Sequence, residues 1–164
     1  MHVRFEVRDF FSREYLVKLA VVFVGYFVGG KLGLSVPFTD WNVSPVWPPA
    51  GIALAAVLGW GLRVWPGIVL GAFCVNFFSP VPHAAAFGIA LGNTSSALIA
   101  GYLLKRVPGF DRSLLRLRDI LPLGALGAAV STAVAATIGT TTLYMNRWTS
   151  ISVVSQNPFV ISLL

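Results

Sequence analysis

From Tyr15 onward the chain alternates long apolar runs with short connections, and its charged residues keep to the connections. A run of roughly 20 apolar residues, at 1.5 Å per residue, matches the hydrocarbon thickness of a bilayer. Within that layer each backbone polar group must find its partner inside the protein, which favours helices for such runs. The runs place spans at about residues 15–36, 46–62, 64–78, 83–104 and 120–144. The fold class expected is an all-α membrane protein, a polytopic helical bundle with about five transmembrane helices.

Only 11% of the 164 residues are charged, against 56% hydrophobic. A soluble domain carries about 25% charged residues, so water cannot be the solvent for most of this surface. The net charge of +6 does not point to nucleic acid. The basic residues never build a solvated face interleaved with aromatics, and no nucleic-acid partner is expected. Cys74 is the only cysteine and lies in an apolar run, so no intrachain disulfide forms.

The second and third runs are short for a crossing, and a re-entrant helical hairpin is the alternative. Basic residues decide the topology, because cytoplasmic connections carry an excess of Lys and Arg. Arg4, Arg8, Arg13 and Lys18 precede or open the first span, and Arg63 separates the second from the third. Lys105, Arg106, Arg112, Arg116 and Arg118 separate the fourth from the fifth. Five crossings with a cytoplasmic N-terminus put all of these inside and leave Lys31 and Arg147 toward the exterior. A re-entrant pair would strand Arg63, so five crossings are preferred.

Residues 1–14 mix charge with aromatics and read as a cytoplasmic or interfacial lead-in. Residues 146–164 form an apolar tail interrupted by Gln156, Asn157 and Pro158, like the truncated start of a further helix. An odd number of spans with such an end suggests a piece of a larger protein, and 15–145 would be an incomplete integral-membrane domain.

Prolines open the runs. Proline lacks a backbone N–H and holds φ near the helical value, so the first helical turn accepts it. Pro48 and Pro49 suit the first turn of the second helix, Pro66 that of the third and Pro122 that of the fifth, while Pro82 precedes the fourth. Trp41, Trp47, Trp60 and Trp65 fall at the expected lipid–water boundaries, where indole is favoured.

Small residues recur four apart on every run: Gly25, Gly29 and Gly33; Gly51, Ala55 and Gly59; Gly67 and Gly71; Gly88, Gly92, Ser96 and Ala100; Gly127, Ser131, Ala135 and Gly139. Apolar burial does not drive helices together in lipid, so close backbone approach through small residues is expected to hold the bundle.

Nothing in the pattern points to catalysis, a metal or a cofactor. There is no phosphate-cradling loop, no His or Cys cluster at ligand spacing and no paired carboxylates in the spans. His2 and His83 stand far apart. Intramembrane polar groups are the informative residues: Asn76 on the third helix, Asn93 with Thr94 to Ser96 on the fourth, Thr137 with Thr140 to Thr142 on the fifth. Asn93 either fixes packing against a neighbouring helix or faces a ligand. The absence of charge at mid-depth counts against an ion transporter. The segment from Leu103 to Leu123 alternates Arg112, Arg116 and Arg118 with leucines and reads as a piece held to anionic headgroups.

Three stretches together resemble a known family: "VWPPAGIALAAVLGWGLRVWPGIVLGAFCVN", "IALGNTSSALIAGYLLKRVPGF" and "LRLRDILPL". In order and spacing they are similar to the bacterial membrane-associated sensor domain, MASE type one, over about residues 15–145. Trp47, Pro48, Pro49, Ala50, Gly51, Pro66, Gly67, Gly71, Asn76, Gly92 and Asn93 fall on its motif positions. The resemblance implies an input domain of about eight helices in the bacterial cytoplasmic membrane, set ahead of a histidine kinase or diguanylate cyclase. The later helices and the output module of that family lie outside this sequence.

The function expected is therefore the transmembrane sensory part of a two-component or cyclic-di-GMP signalling protein, not an enzyme. Its partners would be the lipid bilayer, a small-molecule stimulus and a second copy through the output module. Trp47, Asn76 and Asn93 are the ligand-binding candidates. Pro48, Pro49, Gly51, Pro66, Gly67, Gly71, Gly88 and Gly92 carry helix entry and packing. A small transporter or its substrate-binding subunit is the alternative, and a structural partner subunit a third.

Overall fold

A computed structural model describes residues 12–35, 47–111 and 116–145. Trp41, most of the lead-in, Arg112 with the two leucines after Ser113, and the tail lie outside the described residues. The described chain is helical: α1 (Arg13–Ser35), α2 (Pro48–Trp60), α3 (Trp65–Phe77), α4 (His83–Leu104), α5 (Leu117–Pro122) and α6 (Ser131–Met145). A 3-10 turn, Leu62–Val64, joins α2 to α3, and a π-helical stretch, Leu123–Val130, joins α5 to α6. Arg13–Ser35, His83–Leu104 and the continuous Arg118–Met145 are long and apolar enough to cross a membrane, whereas Pro48–Trp60 and Leu62–Phe77 are shorter.

The helices run alternately up and down. Gly33 near the end of α1 lies against Trp47 and Pro48, so α2 returns antiparallel to α1. Gly67 approaches Leu19 and Gly71 approaches Tyr26, so α3 rises parallel to α1. Gly101 late in α4 meets Val57 late in α2, and Gly88 early in α4 meets Thr142 late in α6. Among the described residues α2 and α3 scarcely touch each other; both are wedged between α1 and α4, and α6 packs chiefly on α4.

Two ends result. The α2–α3 turn lies beside the start of α1, because the Tyr15 hydroxyl donates to the Arg63 carbonyl at 2.9 Å. Lys105 Nζ donates to the Val57 carbonyl at 3.0 Å and brings the end of α4 to the same level. The turn therefore sits at an end of the bundle and not at mid-depth, as a re-entrant tip would. Gly61 makes the reversal with φ +92°, a left-handed value that glycine adopts without a Cβ clash. Arg13, Lys18, Arg63, Lys105, Arg106, Arg116 and Arg118 gather at this end. At the opposite end Lys31 lies between the Phe27 and Phe78 rings and donates to the Phe78 carbonyl at 3.1 Å.

Small residues make the tight contacts. A Cβ on Gly67 would fall 2.8 Å from the Leu19 carbonyl oxygen, and one on Gly71 2.9 Å from Tyr26 Cβ. One on Gly29 would meet Ile52 at 2.8 Å, and one on Gly92 would meet Ile138 at 3.0 Å. The core between them holds Val22, Tyr26, Ala53, Val57, Ile68, Ala72, Val75, Ala90 and Ala97.

The stripe on α2 is a correction. Gly51, Ala55 and Gly59 are exposed, and nothing lies within 4 Å of a Cβ on Gly51 or Gly59. Helix α2 docks instead through Pro49, Ala53, Ala56 and Val57. Alanine and glycine populate both faces of this helix, so their spacing does not say which face is inside. Gly139 on α6 is likewise open, although Gly127 faces Leu54 at 3.0 Å and Ser131 is buried. Pro122 is a second correction. The helix begins at Leu117, so Pro122 falls inside it, and the π stretch follows directly. Proline cannot donate to the carbonyl four residues back, and its ring crowds that carbonyl, so the ladder widens there.

Candidate functional site

Most hydroxyls in the bundle are satisfied within their own helix. Thr94 donates to Ala90 at 2.7 Å, Ser96 to Asn93 at 2.8 Å, Thr137 to Ala133 at 2.8 Å and Thr142 to Ile138 at 2.7 Å. Thr140 does the same toward Ala136 at 2.7 Å. Such back-bonding occupies the single O–H donor of each of these side chains.

Tyr26 breaks the pattern. It is 1% exposed, near the middle of α1, with its ring against Gly71 of α3. The absence of a side chain at Gly71 lets the phenol pass between α2 and α3 toward α4. There the hydroxyl is faced by the side chains of Trp47 and Asn93. Neither closes a hydrogen bond of good geometry with it, and the hydroxyl is left buried without a partner. An unsatisfied buried polar group costs on the order of 1–3 kcal/mol, more than a packing role explains.

Local sequence places the other two members. Pro48 and Pro49 fill the first turn of α2, and Trp47 caps it with φ −112° and ψ 82°. A residue before proline is pushed toward extended backbone, which sets the indole ahead of the helix. Trp47 ring atoms stand 3.3–3.4 Å from where a Gly33 Cβ would be, so the indole packs inward on α1 and is only half exposed. Asn93 shares a face of α4 with Ala97 and Gly101, four and eight residues on, and Gly101 meets Val57 of α2.

Asn76 is occupied differently. Its amide donates to the Ala72 carbonyl at 2.8 Å, one turn back on α3. The structure thus brings Trp47 and Asn93 to one point and spends the Asn76 donor on its own helix. Pro66 stands in the first turn of α3, and Gly88 and Gly92 face α6.

Two residues escaped the sequence reading. Tyr26 hides among the aromatics of an apolar span, and the signal was its hydroxyl, which needs a partner once buried. Asp119 lies in a cytoplasmic-looking basic stretch but is 1% exposed. One of its oxygens accepts the Asp111 backbone N–H at 3.1 Å, and the other is buried without a partner. Among the described residues no group of three His, Cys, Asp or Glu side chains is arranged to hold a metal.

Comparison with known proteins agrees with this architecture. No curated protein and no solved structure matches the chain. The model of the MASE1 family, membrane-associated sensor domains, matches residues 18–157. That stretch takes in every described helix from the second turn of α1 onward, including Tyr26, Trp47 and Asn93. A multi-pass membrane bundle with a sensory role is what the match supports, and the chain belongs to the MASE1 family.

Proposed function

We propose that this sensory domain sits in the bacterial cytoplasmic membrane with its basic end in the cytosol. There it takes a small-molecule stimulus within the bundle and passes it to a cytoplasmic histidine kinase or diguanylate cyclase. Homodimerisation through that output module would complete the signalling unit. The observation that carries the reading is the Tyr26 hydroxyl, open to a partner where Trp47 and Asn93 converge. A ligand supplying the missing hydrogen bond would engage α1, the start of α2 and α4 together. Its binding energy would then favour one arrangement of those helices over another, which is the requirement for a switch.

The orientation half of the proposal follows from charge. Seven basic residues lie at one end and Lys31 at the other among the described residues, an asymmetry that supports a cytosolic basic end.

The test is a chimera in which this chain is followed by the later helices and cyclase module of another MASE1 protein. Cyclase output should change on Tyr26→Phe, Trp47→Phe and Asn93→Ala, and stay level on Asn76→Ala. Output indifferent to all four removes the Tyr26 group from the signalling path.

A further inference from the structure

The span Arg118–Met145 is not one uniform helix. Pro122 stands inside it, and the eight residues Leu123–Val130 that follow are π-helical. A π ladder closes five residues back and not four, so each of its turns takes up more residues than an α turn. We propose that this stretch is a joint that passes between π and α ladders, turning α5 about the axis of the span and sliding it toward the basic end.

Packing separates a held part of the span from a movable one. Helix α6 is seated on α4: Ser131 is buried, and a Cβ on Gly92 of α4 would meet Ile138 at 3.0 Å. No residue of the π stretch is buried, and a Cβ on Gly124 would find open space. The stretch makes its close approach at Gly127, toward Leu54. Helix α5 in turn packs chiefly on the π stretch. Local chemistry acts in the same direction. Pro122 cannot donate to the carbonyl four residues back, and Gly124 and Gly127 are poor α-helix formers, so both effects narrow the usual preference for the α ladder. In α-helical form the same residues make more turn and more length. With α6 held, that change moves α5. It carries Asp119, whose Oδ1 accepts the Asp111 N–H at 3.1 Å, and with it the loop at the basic end. Shifts and rotations of one helix against its neighbours are a recurring way to pass a signal, and π turns recur at functional sites. The joint is independent of the Tyr26 group.

The test is a distance along the span, read by double electron–electron resonance on the full chain in lipid nanodiscs. Spin labels are placed at Leu121→Cys in α5 and Tyr144→Cys in α6, both exposed positions, with Cys74→Ala in the background. A span α-helical throughout separates the two backbone positions by about 34 Å, and the π form holds them closer. Pro122→Ala restores the missing donor and should raise the share of the longer distance about twofold or more. Gly124→Ala, with open space for its methyl group, should shift the distribution the same way. Gly139→Ala makes the same change within α6, also into open space, and should leave the distribution as in the parent. Distances that neither Pro122→Ala nor Gly124→Ala moves overturn the proposal. So does an equal shift from Gly139→Ala, which would mean general stiffening of the span and no joint. Gly124→Ala leaves the proline in place, and it keeps the test decisive even where Pro122→Ala folds poorly.

Discussion

The Tyr15 hydroxyl and the Arg63 carbonyl, 48 residues apart in sequence, meet at 2.9 Å. That bond sets the α2–α3 turn level with the first turns of α1, and it gives two short helices the same pair of ends as the long ones. With 13 residues each, α2 and α3 span only about 20 Å as helices, so their depth depends on such ties and not on their length.

The first prediction concerns sidedness. A fluorescent-protein fusion ending at Gly109 should light up, because that loop shares the basic end with Arg63 and Lys105. An alkaline phosphatase fusion ending at Pro80, in the turn near Lys31 and Phe78, should be active in the periplasm. Phosphatase activity at Gly109 instead would invert the topology.

Packing supplies the second. Gly67→Val would drive its side chain into the Leu19 backbone carbonyl, which cannot rotate away. Overpacking of this kind costs roughly 1–3 kcal/mol, so the variant should unfold in detergent at lower denaturant or temperature. Gly59→Ala, with open space around it, should be tolerated or slightly stabilising. Equal destabilisation by the two would mean that α2 packs through the wrong face here.

Asp119 supports the third. Its Oδ1 accepts the Asp111 N–H while Oδ2 is buried alone, so the carboxylate ties the α4–α5 loop to α5 and is itself poorly served. Asp119→Asn keeps an acceptor for the Asp111 N–H and should change stability little. Asp119→Ala removes it and should cost on the order of 1–3 kcal/mol, seen as faster proteolysis of the 105–111 loop. Equal effects from the two would show that the hydrogen bond is not what holds the loop.

The prolines and the charge pattern made the helices legible. Pro48, Pro49 and Pro66 mark where helices start, and basic residues mark where the chain turns, because both effects are local and set by backbone chemistry or by the bilayer. Which face of α2 points inward was not legible, since Gly51 and Ala53 are equally small and only the shape of α1 and α4 chooses between them. The candidate site was half legible. Asn93 and Trp47 stood out as a polar group in a span and an indole before two prolines. Their meeting point did not, because it is set by a phenol reaching across three helices through the gap that Gly71 leaves. Asn76 shows the opposite limit: an asparagine in a span is informative only when its amide is not already bonded to its own helix.

Tyr26→Phe gives the fourth prediction. Phenylalanine keeps the ring against Gly71 and removes a buried hydroxyl that the bundle leaves unsatisfied. If the hydroxyl is present only for packing, the substitution relieves a penalty and nothing else. The unliganded chain should then become more stable by on the order of 1 kcal/mol, with a higher melting temperature in detergent. If a ligand supplies the hydroxyl's partner, the same gain in the unliganded state should come with loss of response in the cyclase chimera, because the ligand no longer distinguishes the two helix arrangements. Asn93→Ala separates these cases further, since it removes a facing group but keeps the orphan hydroxyl. It should dull the response without the gain in stability. A Tyr26→Phe chain that is less stable than the parent would show that the hydroxyl is bonded after all, and that the group at Trp47 and Asn93 is a structural clasp.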